Sequence, residues 1–195
     1  MPRLTSTQRT PWEIRPAAER DIDFLVEADL LADGYTVNPA ELAMSPVERL
    51  AHRKEISTFV RSANECAWIA ENPDTGTRAG LVMARFRDRL NEPDDASNRF
   101  LFQCLDPRLF PADGRFCEVF QLWVHWAYRR QGIATRLKIT LEEESKKRSI
   151  RMIYTHTERT NEAALELNRK LGYQEVRRGP MGDAVMKVSL VKWLD

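Results

Sequence analysis

The stretch Glu118-Val-Phe-Gln-Leu-Trp-Val-His-Trp-Ala-Tyr-Arg129-Arg-Gln-Gly-Ile-Ala134 decides the fold that the rest of the chain completes. An apolar strand at 116–124 leads into a short basic turn that contains one glycine, and a helical run then continues to Arg148. Such a turn presents backbone N–H groups and the positive end of a helix dipole to one point in space. The stretch therefore predicts an anion-binding site between a strand and a helix.

Composition narrows the classes of protein to consider. The chain has 195 residues, of which 43% are hydrophobic, so it is long enough to bury the core of one domain. Its 30 basic and 29 acidic residues give a net charge of +1, which argues against a nucleic-acid binder that relies on bulk electrostatics. We expect one domain over 11–195, and no nucleic-acid partner.

The N-terminus and the hydropathy pattern predict the compartment. No apolar run approaches the roughly 20 residues that a membrane span needs, and residues 1–10 lack the apolar centre of a signal peptide. We therefore expect a cytoplasmic protein with no membrane partner, in which residues 1–10 form a flexible lead.

Cysteines and histidines give no sign of a metal site. Cys66, Cys104 and Cys117 are widely spaced, with no Cys-x-x-Cys pair, and the three histidines are scattered. We expect reduced cysteines packed in or near strands, and no bound metal.

The first half of the chain predicts three strands and two helices. Residues 12–15 form a short strand, and a helix follows over 21–31 with its apolar residues on one stripe. Ser45-Pro-Val-Glu48 has the pattern of a capping box and predicts a second helix to about Arg61. Strands at 66–70 and 79–86 make a hairpin around the turn at Asn72-Pro-Asp-Thr-Gly76.

Residues 88–114 are too long for a simple hairpin connection, so we interpret them as an inserted loop. Two readings remain open. Long ordered loops often carry function, but this one also suits a surface flap that packs Phe100 and Phe102 against the edge of the core.

The second half predicts the strand at 116–124 and two further helix–strand units. Ile133, Leu137 and Leu141 form a buried stripe on one helix, and Asn161 caps another that Gly172 ends. Strands are predicted at 150–157, 173–177 and 183–191, the last two joined by a turn at 179–182. In the last strand apolar and polar residues alternate, as in a half-exposed strand. This apolar strand could also pair with a second copy of the chain in a homodimer.

The fold class is thus α/β (α+β), a mixed, mostly antiparallel sheet with helices on both faces. The chain resembles the Gcn5-related N-acetyltransferase (GNAT) family in three motifs, which occur at matching places in the order of elements. They are Arg129-x-x-Gly132-x-Ala134, Ile14-Arg-Pro, and Asn161 followed by Leu171-Gly-Tyr173. The resemblance covers nearly the whole chain. It implies the GNAT fold with a splayed strand pair, and acetyl-CoA as the acetyl donor.

Cofactor contacts follow from the turn and from the resemblance. Backbone N–H groups at the helix start suit the diphosphate of a CoA-type cofactor, and Gly132 lets the backbone come close to it. By resemblance, the backbone at 122–124 pairs with the pantetheine arm, and Asn161 contacts the cofactor or serves only as a helix cap. The expected cofactor-binding residues are Leu122, Trp123, Val124, Arg129, Arg130, Gln131, Gly132, Ile133, Ala134, Thr135, Asn161 and Asn168.

Catalysis is assigned to Glu118 and Asn168. Glu118 matches the catalytic glutamate of the Gcn5-type enzymes, and a carboxylate there can take the proton from an attacking amine, directly or through water. A backbone N–H near Val124 would stabilise the oxyanion. Asn168 stands where many family members carry a tyrosine general acid; it has no such proton but can donate a hydrogen bond. Tyr154 and His156 on one strand face are alternative acids.

We therefore expect direct acetyl transfer from acetyl-CoA to a primary amine of a small molecule. The alternatives are acetylation of protein N-termini or lysines, and a non-catalytic CoA-binding or sensing module. The acceptor site should be formed by the region of the first two helices, the 88–114 loop and the last hairpin, where Glu92, Asp94 and Asp95 either attract a cationic amine or are simply solvated.

Overall fold

The structure is a computed structural model, and it describes residues 11–34, 44–91, 105–180 and 185–195. The expectations for the lead at 1–10, for Phe100 and Phe102, for the acidic residues of the inserted loop and for Cys104 lie outside the described residues.

Within the described ranges, seven strands form one sheet, and four α-helices cover it. The strands are β1 (Glu13–Pro16), β2 (Glu65–Glu71), β3 (Arg78–Asp88), β4 (Arg115–Val124), β5 (Met152–Glu158), β6 (Gln174–Pro180) and β7 (Met186–Trp193). The helices are α1 (Ile22–Ala32), α2 (Pro46–Arg61), α3 (Ile133–Lys147) and α4 (Glu162–Lys170). The sheet order is β1-β2-β3-β4-β5-β7-β6, and β4–β5 is the parallel pair among antiparallel ones. The predicted mixed, mostly antiparallel sheet is confirmed.

Local capping signals place the helix starts. The Ser45 hydroxyl accepts a hydrogen bond from the Glu48 N–H at 3.2 Å, and the Glu48 carboxylate accepts one from the Ser45 N–H at 2.7 Å. Asn161 caps α4 by accepting from the Ala164 N–H at 3.1 Å. Both caps satisfy backbone donors that the first helical turn leaves without partners, so both helices begin where the sequence predicts.

The two faces of the sheet have separate cores. On the α3 face, Ile133, Leu137 and Leu141 of α3 and Leu165 of α4 pack against the sheet. On the α1 face, α1 and α2 pack against it through Leu25, Ala28, Ile56 and Phe59. Because successive strand residues point to opposite faces, each position of β4 can be assigned to one of these two layers.

The end of the inserted loop is part of the protein's packing. Leu105, Leu109 and Phe110 belong to a third cluster with Phe116 of β4 and Tyr154 of β5. The rings of Phe110 and Phe116 lie 5.0 Å apart. This segment therefore covers the sheet next to the place where β4 and β5 meet.

The last hairpin corrects two predictions. β7 lies between β5 and β6, and residues 188–191 are buried in succession, so the strand is covered on both faces rather than half-exposed. Gly179 and Pro180 belong to β6 instead of a turn. Since both edges of β7 are hydrogen-bonded within the chain, it has no edge left to pair with a second copy, and that route to a homodimer is wrong.

One buried charge stands out in the core of the α3 face. Lys138 of α3 is 1% exposed, and its Nζ atom has no hydrogen-bond partner among the described residues. The ammonium lies 4.0 Å from the centre of the Tyr173 ring, and Glu142 and Lys192 are its charged neighbours. Burial lowers the pKa of Lys138 from 10.5 to about 7.

This burial makes Lys138 a source of pH-dependent stability. Between pH 7 and pH 10.5 the Lys138 side chain is protonated in the unfolded chain but binds its proton less tightly in the folded one. The free energy of unfolding therefore falls by about 1.4 kcal/mol for each pH unit below the ordinary lysine pKa in this window. The wild-type free energy of unfolding should therefore rise with pH across this window.

We expect Lys138→Met to raise the free energy of unfolding by about 2 kcal/mol near pH 7, because loss of the ammonium–Tyr173 contact offsets part of the gain. The gain should shrink toward zero near pH 10. Urea unfolding at both pH values checks this, with Lys147→Met on the exposed side of the same helix as the control. A gain of equal size at both pH values would contradict the assignment.

Candidate active site

The basic turn between β4 and α3 has an unusual backbone. Arg130 has φ 64° and Gly132 has φ 76°, so two of three consecutive residues adopt the left-handed conformation. A Cβ atom added at Gly132 would meet no described atom within 4 Å. The turn therefore has open space above its glycine, which a bound group can occupy.

The start of α3 supplies hydrogen-bond donors to that space. The first bond inside the helix runs from the Arg136 N–H to the Gly132 carbonyl at 3.0 Å, so the N–H groups of Ile133, Ala134 and Thr135 have no carbonyl of a preceding turn to bind. The helix dipole adds positive potential at the same point. The start of α3 thus presents backbone donors and positive potential to the open space above the turn.

The β4–β5 pair opens into a V next to this turn. Within the described residues the two strands pair at only two positions, Cys117 with Ile153 and Glu118 with Tyr154. Beyond Glu118 the edge of β4 that faces β5 is not covered by strand pairing, although its other edge stays bonded to β3 as far as Val124. An extended ligand can add to such an edge in the manner of a strand.

The register of β3 and β4 shows which backbone groups face the opening. The His125 N–H donates to the Ala79 carbonyl at 2.9 Å, which marks a hydrogen-bonded position. Hydrogen-bonded and non-bonded positions alternate along an antiparallel pair, and Leu122 and Val124 fall on the non-bonded positions. The N–H and C=O groups of Leu122 and Val124 therefore point away from β3 into the V.

Two side chains of the protein already contact this edge. The Leu122 N–H donates to the Gln121 side-chain oxygen at 3.2 Å, and Arg129 Nε donates to the Val124 carbonyl at 3.0 Å. Arg129 is thereby tied to the strand end, and both Arg129 and Arg130 are exposed. Of the predicted cofactor residues, Leu122 and Val124 offer backbone groups to the opening, and the Trp123 side chain faces α1.

A β-bulge sets the direction of the side chains here. The pairing shifts between Met83 and Ala84, so Phe120 is an extra residue on β4. Phe120 packs in the core of the α1 face, and the next residue, Gln121, also reaches α1. The bulge thus turns two consecutive side chains toward α1 and re-aims the strand at the mouth of the V.

Glu118 lies at the apex of the V, in the last position where β4 still pairs with β5. Its side chain is 3% exposed and forms an ion pair with Arg87 of β3, whose side chain is 7% exposed. The structure therefore places the predicted base beside the opening, in contact with a partner that the sequence alone did not indicate.

A polar cluster on α1 adjoins the same place and was missed from the sequence. Asp29 is 5% exposed. It accepts a hydrogen bond from Gln121 Nε2 at 3.3 Å and lies 2.9 Å from His52 Nε2. Burial and the nearby Asp29 raise the pKa of Asp33. One signal was available: Asp29 lies four residues after Leu25 and so on the apolar stripe of the helix, where an acid is unusual.

A cleft of about 340 Å³ lies between α1 and the end of β4. Such a volume is at the lower end of the range for small-molecule sites. Its lining combines aromatic rings with one acid and one arginine: Phe24, Glu27, Ala28, Leu31, Gly76, Arg78, Trp123 and His125.

The remaining predicted residues have the following positions. Asn161 is exposed at the start of α4, where its side chain acts as the cap. Asn168 is 4% exposed, and its Nδ2 donates to the Ala164 carbonyl at 2.9 Å, so part of its donor capacity is used within α4. Tyr154 is fully buried, and the His156 ring lies 6.0 Å from it on the same strand.

The thiols are poor nucleophiles. Cys66 and Cys117 are free, and burial raises the pKa of Cys66 to about 12 and that of Cys117 further. In the described part of the chain, no three His, Cys, Asp or Glu side chains converge as a metal site. No helix there is long and apolar enough to cross a membrane.

Sequence comparison identifies one family. The model of the Acetyltransferase (GNAT) family matches residues 29–173, which include β4, the basic turn, α3 and α4. No curated protein matches the chain significantly.

Solved structures share the fold at low identity. NAA60 from Arabidopsis thaliana, in complex with a bisubstrate analogue, is 19% identical with a TM-score of 0.65 over 93% of this chain and 97% of that one. Ribosomal-protein-alanine N-acetyltransferase from Brucella melitensis is 20% identical, with a TM-score of 0.61 over 93% and 99%. The yncA protein from Salmonella typhimurium, with acetyl-CoA as its cofactor, is 17% identical, with a TM-score of 0.60 over 94% of each chain.

Proposed function

The chain belongs to the GNAT family of acetyltransferases and uses acetyl-CoA, and we propose that it transfers the acetyl group directly to the primary amine of a small molecule. The observation that carries the proposal is the V between β4 and β5, which opens beside the glycine-bearing turn at the start of α3. One side of the V offers backbone groups to an extended ligand, and the turn offers donors to an anion.

In this proposal the cofactor lies along β4 with its diphosphate at the turn. The N–H groups of Ile133, Ala134 and Thr135 and the side chain of Arg130 bind the diphosphate. The outward groups of Leu122 and Val124 pair with the pantetheine arm. Asn161 and the second amide hydrogen of Asn168 approach the arm from α4, and Asn168 transfers no proton.

Glu118 accepts the proton of the attacking amine, through water where the carboxylate is too deep for contact. An alkylamine has a pKa near 10 and is mostly protonated at neutral pH, so it needs such an acceptor. The outward N–H of Val124 stabilises the oxyanion of the tetrahedral intermediate, since the Leu122 N–H already donates to Gln121. Amine nitrogen and thioester carbon form the new bond, and the CoA thiolate leaves and takes up a proton.

Direct attack is favoured over a covalent acetyl-enzyme. The thiol of Cys66, with its pKa raised to about 12, and the more deeply buried Cys117 are almost entirely protonated at neutral pH. Both are free thiols, which suits the reducing cytoplasm that we propose as the compartment.

The acceptor approaches from the α1 face. Asp29 lies next to Gln121 at the bulge and gives that entrance negative charge suited to a cationic amine. The cleft beside Trp123 has the volume for a small molecule rather than a long peptide. Protein N-termini are the second candidate acceptor, because NAA60 and the ribosomal-protein-alanine enzyme share the fold over almost the whole chain.

An acceptor panel tests the proposal. Release of CoA from acetyl-CoA is measured with small-molecule alkylamines, with lysine peptides and with peptides that have free N-termini. We expect turnover with members of the first group and a much lower kcat/KM with both peptide groups. Turnover restricted to peptides would favour protein acetylation, and CoA binding without any turnover would favour a sensing module.

A further inference from the structure

Trp12 contacts the basic turn between β4 and α3, although it is more than 110 residues away in sequence. The residue directly precedes β1 and is 5% exposed. Its indole N–H donates to the Gln131 side-chain oxygen at 2.8 Å. Gln131 lies between the two residues of the turn that have positive φ, so this bond holds the turn at its centre.

Two more contacts fix the ends of the turn. The Trp12 ring lies 4.9 Å from the Tyr128 ring, just before the turn. The Trp12 carbonyl accepts a hydrogen bond from Arg136 Nη1 at 2.6 Å, in the first helical turn after it. Trp12 therefore contacts the chain before the turn, within it and after it.

The turn needs such support because its backbone is unfavourable on its own. A non-glycine residue in the left-handed region, as Arg130 is, persists only where its surroundings hold it. The space above Gly132 is open, so no described side chain supports the turn from that direction. Trp12 contacts the turn by other atoms and leaves this space free.

We propose that Trp12 is a positioning residue that holds the 129–132 turn so that the N–H groups at the start of α3 face the CoA diphosphate. The inference rests on the proposed placement of the CoA diphosphate at this turn. Trp12 touches no reacting atom, so its effect should appear in the binding of ligands that carry the diphosphate and not in the chemical step.

The test uses Trp12→Phe, which keeps an aromatic ring against Tyr128 but removes the N–H donor. Loss of one such hydrogen bond should raise the dissociation constant for CoA and the KM for acetyl-CoA by about threefold to tenfold, with kcat nearly unchanged. Acetyl-pantetheine carries the same thioester without the diphosphate, and its KM should not change. Trp193→Phe, at an exposed tryptophan of β7, is the matched control.

A second variant isolates the bond itself. Gln131→Leu removes the acceptor of the same hydrogen bond. The dissociation constant of the double variant with Trp12→Phe should therefore lie within about twofold of that of either single variant. Thermal unfolding confirms that each variant is folded.

Three results would overturn the inference: CoA affinity of Trp12→Phe equal to wild type, an equal rise in KM for acetyl-pantetheine, or fully additive losses in the double variant. Failure of the wild type to bind CoA is a different result, because it removes the proposed function itself.

Discussion

Gly132→Glu should raise the dissociation constant for CoA by about 100-fold or more. The backbone at Gly132 has φ 76°, where a side chain costs about 1–3 kcal/mol. The new carboxylate would occupy the open space above the turn and repel the diphosphate. The strain is present with or without CoA and so lowers stability, whereas the steric and charge repulsion acts only on the bound state and accounts for the loss of CoA affinity.

Isothermal titration calorimetry with CoA measures this effect. Gly172→Glu is a matched control, because Gly172 has φ 83°, is exposed and likewise has no described atom near an added Cβ, yet lies at the end of α4. The control should bind CoA within about threefold of wild type. If Gly132→Glu bound CoA as well as the control does, the diphosphate site would lie elsewhere.

Glu118→Gln should lower kcat by about 100-fold to 10,000-fold at neutral pH, the usual contribution of a positioned base. Glutamine keeps the shape of the side chain and can still accept a hydrogen bond from Arg87, but it takes up no proton. The defect should shrink as the pH approaches the pKa of the amine, because the free amine then attacks without a base.

The kcat–pH profile of both proteins therefore provides the check. Glu65→Gln is the control, because Glu65 forms an ion pair with Arg85 at 3.0 Å in the same sheet but lies on β2, which does not adjoin the V. The control should keep both kcat and its profile. An unchanged kcat and profile in Glu118→Gln would show that the proton leaves by another route.

Local signals in the sequence predicted what depends on near neighbours. The capping box at Ser45 and the cap at Asn161 use donors three residues away, and both helices begin there. The turn at Gly132 likewise depends on a short run of backbone. These features were predictable because their energies come from contacts within one helical turn.

The geometry of the V depends on strand register, which the sequence does not encode locally. Phe120, Gln121 and Leu122 suit a regular strand as well as a bulged one. Only the pairing of β4 with β3 makes Phe120 the extra residue and turns the Leu122 N–H into the opening. The sequence-based expectation therefore named an N–H near Val124 but could not say which N–H groups of this strand face the opening.

Long-range contacts account for the other omissions. Arg87 approaches Glu118 from the neighbouring strand β3, Asp29 meets Gln121 from α1, and Trp12 reaches the turn from just before β1. The error on β7 has the same origin, because its alternating pattern gave no sign that both of its faces would be buried. Each of these facts requires the tertiary arrangement.

The most direct test of the account is a mass-balance experiment on the wild-type protein. The protein is incubated with acetyl-CoA, with and without an amine that the acceptor panel identifies, and free thiol, acetylated amine and intact protein mass are followed together. The account predicts thiol release only with the amine present, one acetylated amine per thiol, and no added acetyl group on the protein. CoA binding with no thiol release for any amine, or an acetylated protein that loses its acetyl group when amine is added, would contradict it.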